Sequence, residues 1–223
     1  MKRHKSDVTG VQRRLFITFE GLDGAGKSTQ IERLLHKFQA QGLRVVMTRE
    51  PGGTEIGNAL REILLDPKHT ALSPRTEALL YAASRAQLLH QVIRPALERG
   101  DVVLCDRYVD ASLAYQGAGL GLGSEEVARL NRFATEDLKP NLTFLFDLPV
   151  QESQSRVLHA RSGSAPDRIE RRDAEYFQRV RQEFLRIAAA EPERVVVLDA
   201  TASPERLEQE IWNIVANRYV DLE

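Results

Sequence analysis

The sequence predicts an α/β fold, a five-stranded parallel sheet flanked by helices. Three observations lead there. Five short runs are almost wholly apolar, as strands covered on both faces must be. Longer segments with helical periodicity separate those runs. The first run passes straight into a glycine-rich loop that opens the next helix. With 223 residues, 42% of them hydrophobic, the chain can bury one substantial core, expected over residues 15–223. Residues 1–14, MKRHKSDVTGVQRR, read as a solvated, disordered basic tail.

In chain order, strands are expected at Leu15–Phe19, Val45–Thr48, Val102–Cys105, Leu142–Phe146 and Val195–Leu198. Helices are placed by their punctuation. Ser28–Gln41 ends at Gly42, Thr54–Leu65 stops before Asp66 and Pro67, and Pro74–Arg99 ends at Gly100. Ser124 and Ser203 read as N-caps. Ser203 is followed by Pro204 and Glu205, the order that suits free amides and a positive dipole end. Between about Val150 and Ala190 the helical pattern is broken by ARSGSAPDRIERRD, read as a mobile flap over residues 159–172.

Composition removes several classes of function. Formal net charge is -1, from 31 basic and 32 acidic side chains, so no global field draws the chain to nucleic acid or anionic lipid. Cys105 is the sole cysteine, which rules out an intramolecular disulfide and a multi-cysteine zinc site. The N-terminal stretch lacks the apolar core of a secretory signal, and no segment reaches the roughly 18 apolar residues of a membrane span. A cytoplasmic protein with neither nucleic-acid nor membrane partners is expected.

The chemistry starts at FEGLDGAGKST. Gly21, Gly26, Lys27 and Ser28 fit G-x-x-x-x-G-K-[ST], with a strand before and a helix after. Such a loop turns successive amides inward onto phosphate oxygens, with the positive end of the helix behind them. The candidate ATP loop is therefore Gly21, Leu22, Asp23, Gly24, Ala25, Gly26, Lys27, Ser28 and Thr29. Lys27 supplies a cation for the outer phosphates. Ser28 and Asp106, the latter following four apolar residues in VVLCDRY, are candidate magnesium ligands. Arg107 comes next, and its fork can grip a phosphate at two points.

A phosphate loop alone does not name a reaction. N-K-x-D, by which guanine-nucleotide switches read their base, is absent. Arginine, in contrast, makes up 25 of the 31 basic residues and stands at expected loop and strand ends: Arg49, Arg107, Arg161 and Arg168. Transfer between two phosphates gathers about four negative charges or more, which fixed guanidinium groups offset while holding donor and acceptor in line. A phosphate oxygen as attacking atom needs no general base.

Five segments in order, FEGLDGAGKST, TREPGGT, YAASRAQ, DRYVDASLAYQG and PDRIE, give a sequence that resembles the bacterial thymidylate kinases from about Leu15 to Tyr219. The resemblance implies the phosphate-loop fold of nucleoside monophosphate kinases with a short lid. It further implies phosphoryl transfer from ATP to dTMP with magnesium, and a homodimer. It places Asp23 on the 3'-hydroxyl side of the acceptor, Glu50, Pro51 and Arg61 about the acceptor phosphate, and Tyr81 and Arg85 at the base. Ser112, Tyr115 and Gln116 fall at positions touching base and sugar. Tyr81 stands where Phe is commoner, and Ala111 replaces a usual serine. With Ala25 in the loop where some members carry arginine, the resemblance makes Arg161 of the lid the transition-state cation, Arg168 its assistant, and Asp167 and Glu170 orienting groups. Two alternatives stay open: a kinase of another monophosphate such as UMP or GMP, and a nucleotide-binding regulator with vestigial catalysis. One methyl group is worth about 1–3 kcal/mol, so residue types do not separate dTMP from dUMP.

Overall fold

The computed structural model describes residues 14–160 and 165–219, so nearly all of the basic tail, and Arg161, lie outside the described residues. Its sheet has five strands: β1 (Phe16–Gly21), β2 (Val45–Arg49), β3 (Val102–Asp106), β4 (Leu142–Asp147) and β5 (Val195–Asp199). Their order is β2-β3-β1-β4-β5 and every pair is parallel. Each strand runs one or two residues past its apolar run, through Glu20 and Gly21, Arg49, Asp106, Asp147 and Asp199. Apolarity marks where a strand is covered, whereas the hydrogen-bond ladder continues into the polar carboxyl edge.

Side chains alternate across the sheet. Ile17, Phe19, Phe144 and Phe146 face α1 (Lys27–Ala40) and α9 (Pro204–Tyr219), where they pack with Leu34, Phe38, Leu207, Ile211 and Val215. Each such side chain contributes about 1.5–3 kcal/mol by leaving water. On the other face Phe16 meets the Tyr108 ring edge-on at 5.0 Å. There Thr18 and Thr143 hydrogen-bond through their hydroxyls at 2.7 Å, which satisfies both inside the sheet.

The helices α2 (Glu55–Leu65), α3 (Pro74–Leu88) and α8 (Ala174–Ala190) are capped by Thr54, Ser73 and Asp173, whose side chains accept from the amides of Gly57, Thr76 and Tyr176. Ser203 accepts from the Arg206 amide at 3.3 Å, as its place before Pro204 predicts. Ser124 departs from expectation. It is the first residue of α6 (Ser124–Thr135), Gly123 holds the cap position, and the Ser124 hydroxyl donates to Glu183 Oε1 at 2.6 Å. A carboxylate on α8 offers that hydroxyl a stronger partner than the helix amides do.

The expected helix Pro74–Arg99 is a continuous helical path with a change of pitch. After α3 comes a π-helical turn, Leu89–Ile93, and then α4 (Arg94–Glu98). Pro95 has no N–H and its ring would crowd the carbonyl four residues back, so the ladder widens just before it. A second π segment, Leu113–Gly119, follows the short α5 (Val109–Ser112). The last helix before the flap is α7 (Val150–Ala160).

Register places the functional loops together. Phe19 is level with Asp106, Arg49 with Asp106, and Gly21 with Phe146. The loops leaving β1, β2 and β3 thus emerge side by side at the carboxyl edge, where open parallel sheets bind ligands.

Candidate active site

Gly21 turns the chain out of β1 at φ +129°, and a Cβ there would lie 2.4 Å from the Phe146 carbonyl oxygen. No side chain fits unless β4 moves. Gly26, also left-handed at φ 90°, is the N-cap of α1, so the helix amides from Lys27 onward face back across the loop. Leu22 and Ala25 are buried and offer only backbone, whereas Asp23, Gly24, Gly26, Ser28 and Thr29 are exposed. Lys27 is 5% exposed. Its Nζ donates to the carbonyls of Leu22 (2.9 Å) and Gly21 (3.2 Å), which leaves one N–H for an anion. Burial, then the nearby Arg107 charge, lower its pKa.

Ser28 Oγ donates to Asp106 Oδ2 at 3.5 Å, while Asp106 Oδ1 is buried without a hydrogen-bond partner. This pair of oxygen donors fits a hard divalent cation. No cluster of three or more His, Cys, Asp or Glu suited to a metal occurs among the described residues, so the rest of the shell would be phosphate oxygens and water. The loop is also braced from α7: Ser153 Oγ donates to the Asp23 carbonyl at 2.7 Å, and Arg156 Nη1 to those of Ala200 (3.1 Å) and Gly24 (3.4 Å). Sequence reasoning missed both residues. They lie about 130 positions from the loop in an ordinary polar helix, and no spacing rule joins them to it.

Beside the loop lies a cavity of about 210 Å³. Asp23, Glu50, Pro51, Arg61, Tyr81, Arg85, Arg107, Ser112, Tyr115 and Gln116, every residue expected on the acceptor side, line it, with Asp167, Ile169 and Glu170 along one rim. Asp23 and Arg107 form the wall shared with the loop, Arg107 Nη2 donating to Asp23 Oδ1 at 2.7 Å. Enclosure would raise the Asp23 carboxyl, yet its side chain is 49% exposed and the charges of Arg107 and Lys27 prevail, lowering it to about 2. The Arg107 guanidinium also sits 5.0 Å over the Tyr115 ring.

Arg107 is itself left-handed at φ 72°, a conformation costing a non-glycine residue about 1–3 kcal/mol. Two hydrogen bonds hold it there: its amide to the Phe19 carbonyl (3.0 Å) and the Tyr108 amide to Glu20 Oε1 (2.8 Å). Glu20 is fully buried. Burial, then the charge of Asp110, raise its pKa to about 8 against the pull of Arg107 and Arg85. The one available signal for Glu20 was an acid ending an apolar run.

Arg85 is 1% exposed and committed to protein acceptors. It pairs with Glu50, donates to Asn131 Oδ1 and Ser112 Oγ (2.9 Å) through Nη1, and to the Tyr108 carbonyl (2.8 Å) through Nη2. Its Nε is buried without a partner. Burial pushes Glu50 up to about 7, with Arg85 acting in the opposite sense. Burial, then Glu77, raise the Tyr81 phenol. Arg61 Nη1 donates to the Pro51 carbonyl at 3.0 Å, and enclosure followed by the Arg49 charge lowers its pKa, the mark of a site rich in cations. Arg49, expected from the sequence among the arginines that offset gathered phosphate charge, lines with Ser28 and Asp106 a second cavity of about 450 Å³.

Arg168 turns away from the loop. Its Nε donates to the Leu64 carbonyl (2.8 Å) and its Nη1 to Glu77 (2.7 Å), which fastens the flap to α2 and α3. Asp167 Oδ1 accepts from the amides of Ile169 and Glu170, and Glu170 Oε2 accepts from the Asp167 amide at 2.8 Å, a reciprocal closure that stiffens the turn.

Comparison with known proteins shows the family of the chain. The family model described as thymidylate kinase matches residues 19–211. A thymidylate kinase of Exiguobacterium sibiricum is 51% identical over 196 residues, covering 88% of this chain and 91% of that protein. One from Deinococcus radiodurans is 52% identical over 204 residues, covering 92% and 97%. One from Symbiobacterium thermophilum is 48% identical over 201 residues, covering 90% and 92%.

Proposed function

The chain belongs to the thymidylate kinase family, and on that premise we propose how its residues divide the transfer of a phosphoryl group from ATP to dTMP. ATP lies with its phosphates on Gly21–Thr29, where inward amides and the free N–H of Lys27 hold them. dTMP occupies the 210 Å³ cavity, its phosphate among Arg61, Arg107 and the Glu50–Pro51 turn and its base between Tyr81, Arg85, Ser112, Tyr115 and Gln116. Asp23 receives the 3'-hydroxyl side of the sugar. The observation that carries this reading is the Asp23–Arg107 pair, which belongs to the phosphate loop and to the cavity at once. With one wall between the two anions, an acceptor oxygen and the outermost phosphorus of ATP can meet in line.

Lys27 and Arg107 offset the charge that gathers as the phosphates approach, and the attacking phosphate oxygen needs no base. Ser28 and Asp106 would hold a magnesium ion, which when bound neutralises charge on the ATP phosphates. Arg161 is assigned the transition-state cation of the lid over residues 159–172. Arg168, through Glu77, assists by fixing the base of that lid. A homodimer is supported by apolar side chains left exposed on three helices that pack in succession: Ile56 and Ile63 on α2, Leu79 on α3 and Phe133 on α6. No helix among the described residues is long and apolar enough to cross a membrane, and the buried free thiol of Cys105 suits a cytoplasmic location.

A coupled ADP assay over dTMP, dUMP, dCMP, UMP and GMP, with ATP and magnesium, tests the reading. A thymine or uracil deoxynucleotide is expected to be the best acceptor, and Arg107→Ala is expected to lower kcat/KM at least 100-fold while remaining folded. A purine preference, or a near-normal Arg107→Ala, would overturn it.

A further inference from the structure

Among buried groups that the transfer itself does not use, Glu77 on α3 has the most ordered surroundings. It is fully buried, and its two oxygens serve different partners. Oε1 accepts from Gln116 Nε2 at 3.1 Å. Oε2 accepts from Arg168 Nη1 at 2.7 Å and from Arg172 Nη2 at 2.6 Å. Arg172 is itself seated 4.5 Å over the Tyr176 ring, whose hydroxyl donates to the Tyr115 carbonyl at 3.2 Å. The carboxylate therefore joins the base of the flap to the wall of the cavity.

A carboxylate offers only acceptors, so Gln116 must turn its amide nitrogen toward Glu77. Its carbonyl oxygen is then the end it can present to the cavity it lines. Thymine and uracil carry N–H at ring position 3, which an acceptor satisfies. Cytosine carries a bare lone pair there, which an acceptor repels. Resting on the reading that this cavity takes the base of dTMP, we propose that Glu77 is a positioning residue for base recognition. It fixes the sense of the Gln116 amide, and the same carboxylate anchors the two arginines of the flap.

Glu77→Gln provides the test, because the two oxygens are inequivalent. Two guanidinium groups claim the oxygen of the new amide at the Oε2 position, so its nitrogen faces Gln116. Gln116 must then reverse, accept from residue 77, and present N–H to the base. In steady-state kinetics the wild type is expected to favour dTMP over dCMP in kcat/KM. Glu77→Gln is expected to narrow that ratio at least tenfold, with dTMP losing and dCMP gaining. Mere loosening of the fold would lower both substrates alike, and that result, like an unchanged ratio in a folded variant, overturns the proposal. A wild type indifferent between dTMP and dCMP would instead overturn the assignment of the cavity. If Glu77→Gln does not fold, Glu77→Gln/Arg172→Met removes one guanidinium and carries the same expectation, since Arg168 still claims the oxygen.

Discussion

Glu20, next to last in β1, is an acid with no solvent, and it accepts from the Tyr108 amide that helps hold Arg107 in its left-handed turn. Its pKa, raised from 4.5 to about 8, sets a pH dependence whose sign follows from linkage. Between those values the folded chain keeps a proton that the unfolded chain releases, so the stability tied to Glu20 is full below about pH 4.5 and declines toward pH 8. Glu20→Gln keeps an acceptor for Tyr108 and never ionises. Its Tm is expected to match wild type near pH 5 and exceed it by on the order of 5 °C at pH 8. Thermal melts across that range check this, and parallel curves would refute it. That Glu20 mattered was partly legible, since an acid closing an apolar strand is unusual. The cause, its enclosure beside Asp110, joins residues 90 positions apart and is written in no local pattern.

At the scale of elements, punctuation was readable wherever the chemistry is local. Ser203 caps its helix as expected, and Thr54, Ser73 and Asp173, not named as caps from the sequence, do so by the same means, a short side chain reaching an amide three residues on. Ser124 departs because Glu183, far off in sequence, competes for its hydroxyl. The π turn before Pro95 has a local cause, yet whether a proline ends a helix or widens it depends on what packs around it. Here Leu88, Leu89, Ile93 and Ala96 are all buried against β1 and β3, so the helical path continues. Asp173→Ala removes the cap that starts α8 just after the flap, at a loss of about 1 kcal/mol. A fall in Tm of roughly 2–4 °C with kcat little altered is expected. A Tm within half a degree of wild type would show the cap to be idle.

Across the whole molecule, exposed apolar side chains on α2, α3 and α6 bear on assembly. Phe133 is 88% exposed, a large apolar side chain in solvent that the proposed homodimer would cover. If the proposed homodimer forms through this face, the native chain is expected to be dimeric and Phe133→Arg monomeric in light scattering at micromolar concentration, and a monomeric native chain would overturn the proposal. A dimer that persists would place the interface elsewhere. By itself the sequence determined the sheet, the phosphate loop and the family, because strand burial, glycine conformation and the order of short motifs are encoded over a few consecutive residues. Only the tertiary structure decided which charges meet. That Arg107 faces Asp23, that Arg85 is committed to Glu50, and that Glu77 binds Gln116 with two arginines of the flap depends on parallel register and on helices crossing the sheet. A side chain finds such partners through space, at separations from 30 to more than 90 residues along the chain, where no periodicity of the sequence reaches.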